Sequence, residues 1–355
     1  MPWSCHTRDD LLVNLPALLE SRFLVSDLAN TNRAVREHAT TAGSADILSA
    51  STFVATQPAK LPALRAFDDK LDYSICVQFL FMHLACLLVV WAGVSTVAVV
   101  TCLALYIVRM FAITAGFHRL LAHRTYRTSR VFQFLIAFTG TAAYQKGPLW
   151  WSAHHRHHHL VADTDQDFHS PLTRKFWRAH FGWFLSRDSQ TTHWKLIANL
   201  SKYPELRFLD RYYSLPPIVL AATAFVAGSL LQRYAPSFGT SGFQMLVWAF
   251  FVSTVVLYHG TFTVNSLAHI FGKRRFPTTD NSRNNLFVAL ITLGEGWHNN
   301  HHHYASSERQ GFRWWEIDVS HYTLTVLSWF GIVWDLHAPP PELVAVETVA
   351  AASNP

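Results

Sequence analysis

Apolar residues along this chain gather in four long, almost unbroken runs, at about Ser74–Val94, Ser95–Phe117, Leu215–Leu231 and Phe243–Val264. A bilayer core takes about 20 residues of helix, with a working range of about 17–25. Each run therefore predicts a membrane-spanning helix, the third at the short limit. Only the turn around Trp91–Thr96 separates the first two, which predicts a helical hairpin. Three shorter apolar stretches, Val131–Tyr144, Leu286–Leu293 and Thr323–Leu336, fall short of a span and predict interfacial or partly inserted segments. Trp329, Trp334 and the Trp314–Trp315 pair suit the aromatic belt at a membrane boundary. Residues 1–70 are mixed in character. They show no basic start followed by an apolar core and a small-residue cleavage site, so no secretory signal is expected. Asp9–Val25 predicts a short amphipathic helix interrupted at Pro16. Residues 39–56 read as a linker and 339–355 as a flexible tail, which leaves 71–338 as the principal domain.

Composition agrees with a membrane. Of 355 residues, 50% are hydrophobic and 15% charged, against about 25% charged in a soluble domain. The net charge of +6 would suit nucleic acid, but its distribution follows membrane topology, and no nucleic-acid partner is expected. Fourteen Lys or Arg lie between the second and third runs, in 118–214; only Arg233 lies between the third and fourth, and the hairpin turn has none. Basic residues concentrate on the cytoplasmic side, which places both termini and the large middle segment there. Cys76, Cys86 and Cys102 sit inside apolar runs and Cys5 outside them. With no CxxC pair, they read as small packing residues rather than disulfides or thiolate ligands.

Histidine carries the chemistry. His118-Arg119-Leu120-Leu121-Ala122-His123, His155-Arg156-His157-His158-His159 and His298-Asn299-Asn300-His301-His302 are three dense boxes, and Asn265-Ser266-Leu267-Ala268-His269 adds a fourth imidazole source. Imidazole is the commonest protein ligand of transition metals. Positions i, i+3 and i+4 share a helix face, a set matched by His155, His158, His159 and again by His298, His301, His302. Asn265 and His269 are an i, i+4 pair. His118 and His123 are i, i+5, about 140° apart on an ideal helix. They converge on one metal only if the helix ends or unwinds between them. Four half-cages can close around one or two metals, and all four fall on the cytoplasmic side of their spans. His154, His157 and His303 read as exposed or supporting groups, as do the scattered His6, His38, His180, His193 and His337, with His169 and His259 intermediate. Asp163, Asp165, Asp167 and Glu295 are candidates to orient the imidazoles.

The boxes HxxxxH, HxxHH and HxxHH resemble those of the membrane fatty-acid desaturases. The fuller text narrows the resemblance: HRLLAHRTY from His118, GPLWWSAHHRHHH from Gly147, VNSLAH from Val264, GEGWHNNHH from Gly294 and FRWWEID from Phe312. Together they look like the acyl-CoA desaturase branch that acts between carbons nine and ten of a saturated chain. The likeness covers roughly 70–338. It implies an all-α integral membrane protein, with four transmembrane helices below a cytosolic helical cap that carries a di-iron site. It implies two iron ions held by His118, His123, His155, His158, His159, His269, His298, His301 and His302, with Asn265 acting through a water. O2 is the implied co-substrate, a saturated fatty acyl-CoA the substrate, and a separate small cytochrome or ferredoxin with its reductase the electron donor. Gln145, Trp151 and Phe262 match positions of the family's kinked acyl tunnel. Phe262 stands where animal relatives often have tryptophan. At the carrier site a basic position is Ala153 here, and a basic pair reads Arg187-Asp188, so Arg187 alone remains as a head-group contact. Phospholipid- or carrier-protein-bound chains stay open as alternatives, as does a di-iron lipid or alkane hydroxylase. A hydroxylase would add an oxygen where a desaturase removes two hydrogens. A membrane metal transporter is disfavoured, because its ionisable groups would sit near the bilayer middle.

Overall fold

The computed structural model describes residues 70–345; the readings of residues 1–69 and 346–355 lie outside them. In chain order the principal helices are α1 (Tyr73–Ala92), α2 (Thr96–His123), α3 (Arg130–Thr141), α4 (Pro148–Val161), α5 (Pro204–Arg211), α6 (Leu215–Tyr234), α7 (Gly242–His269), α8 (Leu286–Ile291), α9 (His298–His303) and α10 (Val319–Trp329). One two-stranded antiparallel ladder pairs Arg127–Thr128 with Val333–Trp334. Helices α1, α2, α6 and α7 are long and apolar enough to cross a membrane. Large apolar side chains on α1 such as Val77, Val90 and Trp91 are exposed, as lipid contact requires.

Local chemistry sets the helix ends. The Asp72 carboxylate accepts from the Ser74 and Ile75 amides at 3.0 and 3.3 Å, which caps α1. Ser95 does the same for α2, through the Ala98 amide. Between them Gly93, at φ +68°, takes the left-handed conformation that glycine adopts without strain. Both α2 and α7 run to 28 residues, longer than the apolar runs that predict them. An α-helix satisfies its backbone internally whatever its side chains, so both helices continue past the apolar stretch and carry their histidines on the same rods.

Polar pairs buried between the spans are satisfied. The Arg109 guanidinium on α2 donates to Thr254 Oγ1 (2.7 Å) and Ser253 Oγ (2.6 Å) on α7 and to the Ala142 carbonyl (3.2 Å). A cation at this depth is tolerated only when bonded in this way. His83 on α1 meets His259 on α7 at 3.1 Å. His259 meets His180 at 3.0 Å, and His180 reaches Ser266 Oγ at 2.9 Å. These contacts tie α1 to α7 and to the short π-helix Arg178–Gly182.

Helix α4, the central carrier of histidine, begins at Pro148, a residue suited to the first helical position. Its first amides are capped from elsewhere: Asp210 Oδ1 on α5 accepts from the Leu149 and Trp150 amides at 2.9 and 2.8 Å. Gly147 permits the approach, since a Cβ there would lie 2.4 Å from Asp210 Cα. Leu149, Leu206 and Leu209 are buried in the same core as Phe117 and Leu121 of α2. Replacing Asp210 by Ala should lower stability by about 1–2 kcal/mol through the lost cap. Gly147→Ala should cost more, because the backbone contact must open. Thermal unfolding of the purified protein in detergent checks both, and an unchanged midpoint for Asp210→Ala would show that the cap does not stabilise α4.

Candidate metal centre

Twelve residues at the end of α2, Ala112–His123, adopt π-helical geometry. Hydrogen bonds in a π-helix run from i to i+5, so residues five apart stack on one face. This solves the spacing problem of His118 and His123. The helix neither ends nor frays between them; it widens, and both imidazoles turn to one point.

The described histidines form two groups whose ligand nitrogens lie within 4.8 Å of one another: His118, His123, His155, His159 and His301 in one, and His158, His269, His298 and His302 in the other. The division is reciprocal. Helix α4 sends its i, i+4 pair, His155 and His159, to the first group and its i+3 residue, His158, to the second. Helix α9 sends His298 and His302 to the second and His301 to the first. The rest come from the ends of α2 and α7. In the first group His118 and His301 Nε2 are 3.1 Å apart, His123 and His155 2.7 Å, and His301 and His159 2.9 Å. In the second, His269 and His298 Nε2 are 3.0 Å apart.

Carboxylates decide which nitrogen points inward. Asp167 meets His158 Nδ1 (3.1 Å), Asp163 meets His269 Nδ1 (2.9 Å), Asp280 meets His302 Nδ1 (2.8 Å), and Glu295 meets His118 Nδ1. A carboxylate only accepts, so each Nδ1 holds the proton and each Nε2 presents a lone pair. His302 Nε2 is buried without a hydrogen-bond partner. Bare lone pairs facing one another at hydrogen-bond distance are the arrangement a cation satisfies, so the residues fit a metal in each group. Burial, together with neighbouring imidazoles, pushes His155, His159, His298 and His301 well below the usual histidine range. Burial also takes His302 down to about 4. All remain neutral, as ligands must be. Burial opposes a charge on His158, but Asp167 more than offsets it and raises its pKa. Asp163 is half-buried, which favours its neutral form, yet the His269 hydrogen bond holds it down at about 2.

Three of the four acids expected to orient imidazoles do so. Asp165 is exposed and Asp280 takes that part instead. Its distance from any histidine box in sequence hid it. Glu295 in turn accepts from Arg119 at 3.2 Å, and Arg119 also pairs with Asp318 (2.9 Å) and Glu308 (3.4 Å). The FRWWEID stretch thus supplies, in Asp318, a support for the first group. His154 and His157 are buried, not exposed, and face away from both groups: His157 stacks on His193 at 4.9 Å and contacts Phe168.

An apolar cavity opens onto both groups, lined by His118, His155, His158, His298 and Asn265. Gln145, Trp151 and Phe262 line it too. Trp151 stacks on His155 at 5.2 Å, and the Gln145 amide donates to Thr261 at 2.8 Å. Lys146, unmarked in the sequence, contributes the one ammonium among the described lining residues. Its φ of +69° is uncommon outside glycine, and its Nζ lies 5.0 Å from the Tyr213 ring. Arg187 is not among the residues that line this cavity; its side chain is exposed and its amide donates to the Lys70 carbonyl.

The fatty acid desaturase family model matches residues 74–330. The chain belongs to the fatty acid desaturase family. It is 36% identical over 277 residues to the palmitoyl-monogalactosyldiacylglycerol delta-7 desaturase of Arabidopsis thaliana, covering 76% of this chain and 70% of that protein. Icosanoyl-CoA 5-desaturase of Limnanthes douglasii is 36% identical, over 65% of this chain and 62% of that protein. The sn-1 stearoyl-lipid 9-desaturase of Anabaena variabilis is 35% identical, over 72% and 89%. The desaturase family uses a di-iron centre, and the paired imidazole groups are compatible with it.

Replacing His158 or His301 by Ala should abolish product and lower bound metal while membrane-inserted protein persists, since the spans are set by apolar length. His157→Ala and His303→Ala should keep their metal and most activity. Equal metal loss from His157→Ala and His158→Ala, measured by elemental analysis, would overturn the assignment of faces on α4.

Proposed function

We propose that this protein is a dioxygen-dependent desaturase that introduces a cis double bond at carbon nine of a saturated fatty acyl-CoA. Two iron ions would be held by His118, His123, His155, His159 and His301, and by His158, His269, His298 and His302, with Asn265 acting through a water. The observation that carries the reading is the convergence of nine imidazoles on two points, four of them, His118, His155, His158 and His298, lining one apolar cavity. When bound there, iron supplies the dioxygen chemistry needed to remove hydrogen from unactivated methylenes, which no side chain can do. The acyl chain loses two hydrogens. With two electrons from a separate small cytochrome or ferredoxin and two protons, these convert O2 to two waters.

The chain's own residues position and exclude. Trp151 and Phe262, on opposite helices of the cavity wall, press the acyl chain toward the histidines and keep water out. Gln145, fixed by Thr261, supplies a polar point in an otherwise apolar wall. Lys146 attracts the polar head. Asp163, Asp167, Asp280 and Glu295 hold the Nδ1 protons of His269, His158, His302 and His118 and so keep those four imidazoles aimed. Fourteen basic residues in 118–214 support a cytoplasmic site with both termini on the same side.

A second reading keeps the chemistry and changes the carrier: the acyl chain belongs to a membrane glycerolipid. Ala153 is buried where a basic side chain would serve CoA, and Arg187 is not among the residues that line the cavity. Relatives named for acyl-lipid substrates stand beside those named for acyl-CoA.

Expression in a desaturase-deficient host, followed by location of double bonds in the CoA and glycerolipid pools, separates the two. Each buried methylene contributes about 0.8 kcal/mol, so binding alone discriminates poorly between neighbouring chain lengths. Position must come from the distance between head and metals. Chains of different length should carry the new bond at the same distance from the carboxyl end; a constant distance from the methyl end would reject this geometry. Active protein should hold two irons per chain, and one or none rejects the centre as described. Lys146→Met should raise KM about ten-fold, the loss of one charged contact of roughly 1.5 kcal/mol, with kcat little changed.

A further inference from the structure

The carboxylates behind the two imidazole groups are unevenly shared. In the group of His158, His269, His298 and His302, three of four imidazoles are backed by separate aspartates, at 3.1, 2.9 and 2.8 Å. These aspartates are themselves held by neutral donors. Asp163 accepts from the Asn281 amide and the Ser170 hydroxyl, Asp167 from the Asp163 and His169 amides, and Asp280 from the Ser282 amide and the Thr278 hydroxyl. Among the described contacts, the five-imidazole group has one such backing, Glu295 on His118. Glu295 shares its charge with the Arg119 guanidinium, which contacts it through Nε at 3.3 Å and Nη2 at 3.2 Å.

The physical consequence concerns metal affinity. A carboxylate behind a ligating imidazole fixes its tautomer and raises its basicity, and loss of one such partner typically costs about 10–100-fold in metal affinity. It also places negative charge near a dication that would otherwise be surrounded by neutral ligands and low dielectric. The five-imidazole group has one more ligand, which works in the opposite direction. That extra imidazole takes a coordination position that water would otherwise fill, so it replaces one neutral donor by another. The aspartate-backed group has two more carboxylates, and its three are not neutralised by a guanidinium. Two such partners correspond to about 10²–10⁴-fold, which outweighs the exchange of water for imidazole.

We propose that the two halves of the centre are inequivalent, and that the group of His158, His269, His298 and His302 takes the first divalent ion and releases it last. This rests on reading the histidines as a two-metal centre. Asp163, Asp167 and Asp280 are then positioning residues for one half only, and Glu295 for the other. A protein stripped by a chelator in stages passes through a state with one metal, held on the α7 side.

Cobalt(II) added to full-length, metal-free protein in detergent tests this, read by calorimetry and by the cobalt absorption spectrum. Two classes of one equivalent each should appear, at least ten-fold apart in Kd. His298→Ala should remove the tight class and leave the weak one, whereas His123→Ala should damage the weak class alone. Asp280→Asn should weaken the tight class about 10–100-fold, with the weak class unchanged as an internal check of folding. Asp163→Asn repeats the test from a different segment. A single class of two equivalents overturns the proposal, as does loss of the tight class in His123→Ala. Absence of any cobalt binding rejects the metal centre itself.

Discussion

Imidazole lone pairs turned toward a common point repel one another, and water ordinarily prevents the arrangement by hydrating each ring. Here nine such rings, five buried and four half-buried, are aimed inward. The structure depends on how that cost is met. Four carboxylates hold protons on the outward nitrogens, so the inward ones remain free to bind. The carboxylates are in turn held by Arg119, by backbone amides and by hydroxyls. The result is a cage whose donors are organised before any metal arrives, so little rearrangement opposes binding.

Helix geometry supplies the aim. Two short histidine helices, α4 and α9, each split an i, i+3, i+4 set between the two groups, in opposite senses. The ends of two long helices complete the groups. One of those ends is π-helical, and that local widening puts His118 and His123 on one face. The long helices also anchor the centre to the apolar spans, so the cavity that meets the histidines is walled by residues that begin in the membrane. Under the proposed function, position along an acyl chain would then be a matter of fixed distance, set by rigid rods rather than by loops.

The same construction explains why residues remote in sequence matter. Asp280 is 22 positions from His302 and Asp318 is 199 from Arg119, yet each acts on the centre through one hydrogen bond or one shared partner. Buried networks of this kind are demanding, because a member left unpaired carries its full desolvation penalty. The Arg109 and His83–His259–His180 contacts apply the same rule between the spans.

Apolar run length and histidine spacing are properties of the chain alone, and both could be read without coordinates. A helix must be about 20 apolar residues long to cross a bilayer, so the four spans were legible, as was the helical hairpin. Spacing of i, i+3, i+4 fixes which histidines share a face, so the boxes and the Asn265–His269 pair were legible too. The division of each box between two groups was not, because a helix face has width, and only the crossing of α4 and α9 decides which ring goes where. The convergence of His118 and His123 was open for a similar reason. Whether a helix stays α or widens to π depends on its packing, not on its propensities. Lys146 and Asp280 mark the same boundary: their parts depend on long-range proximity, which tertiary structure alone creates.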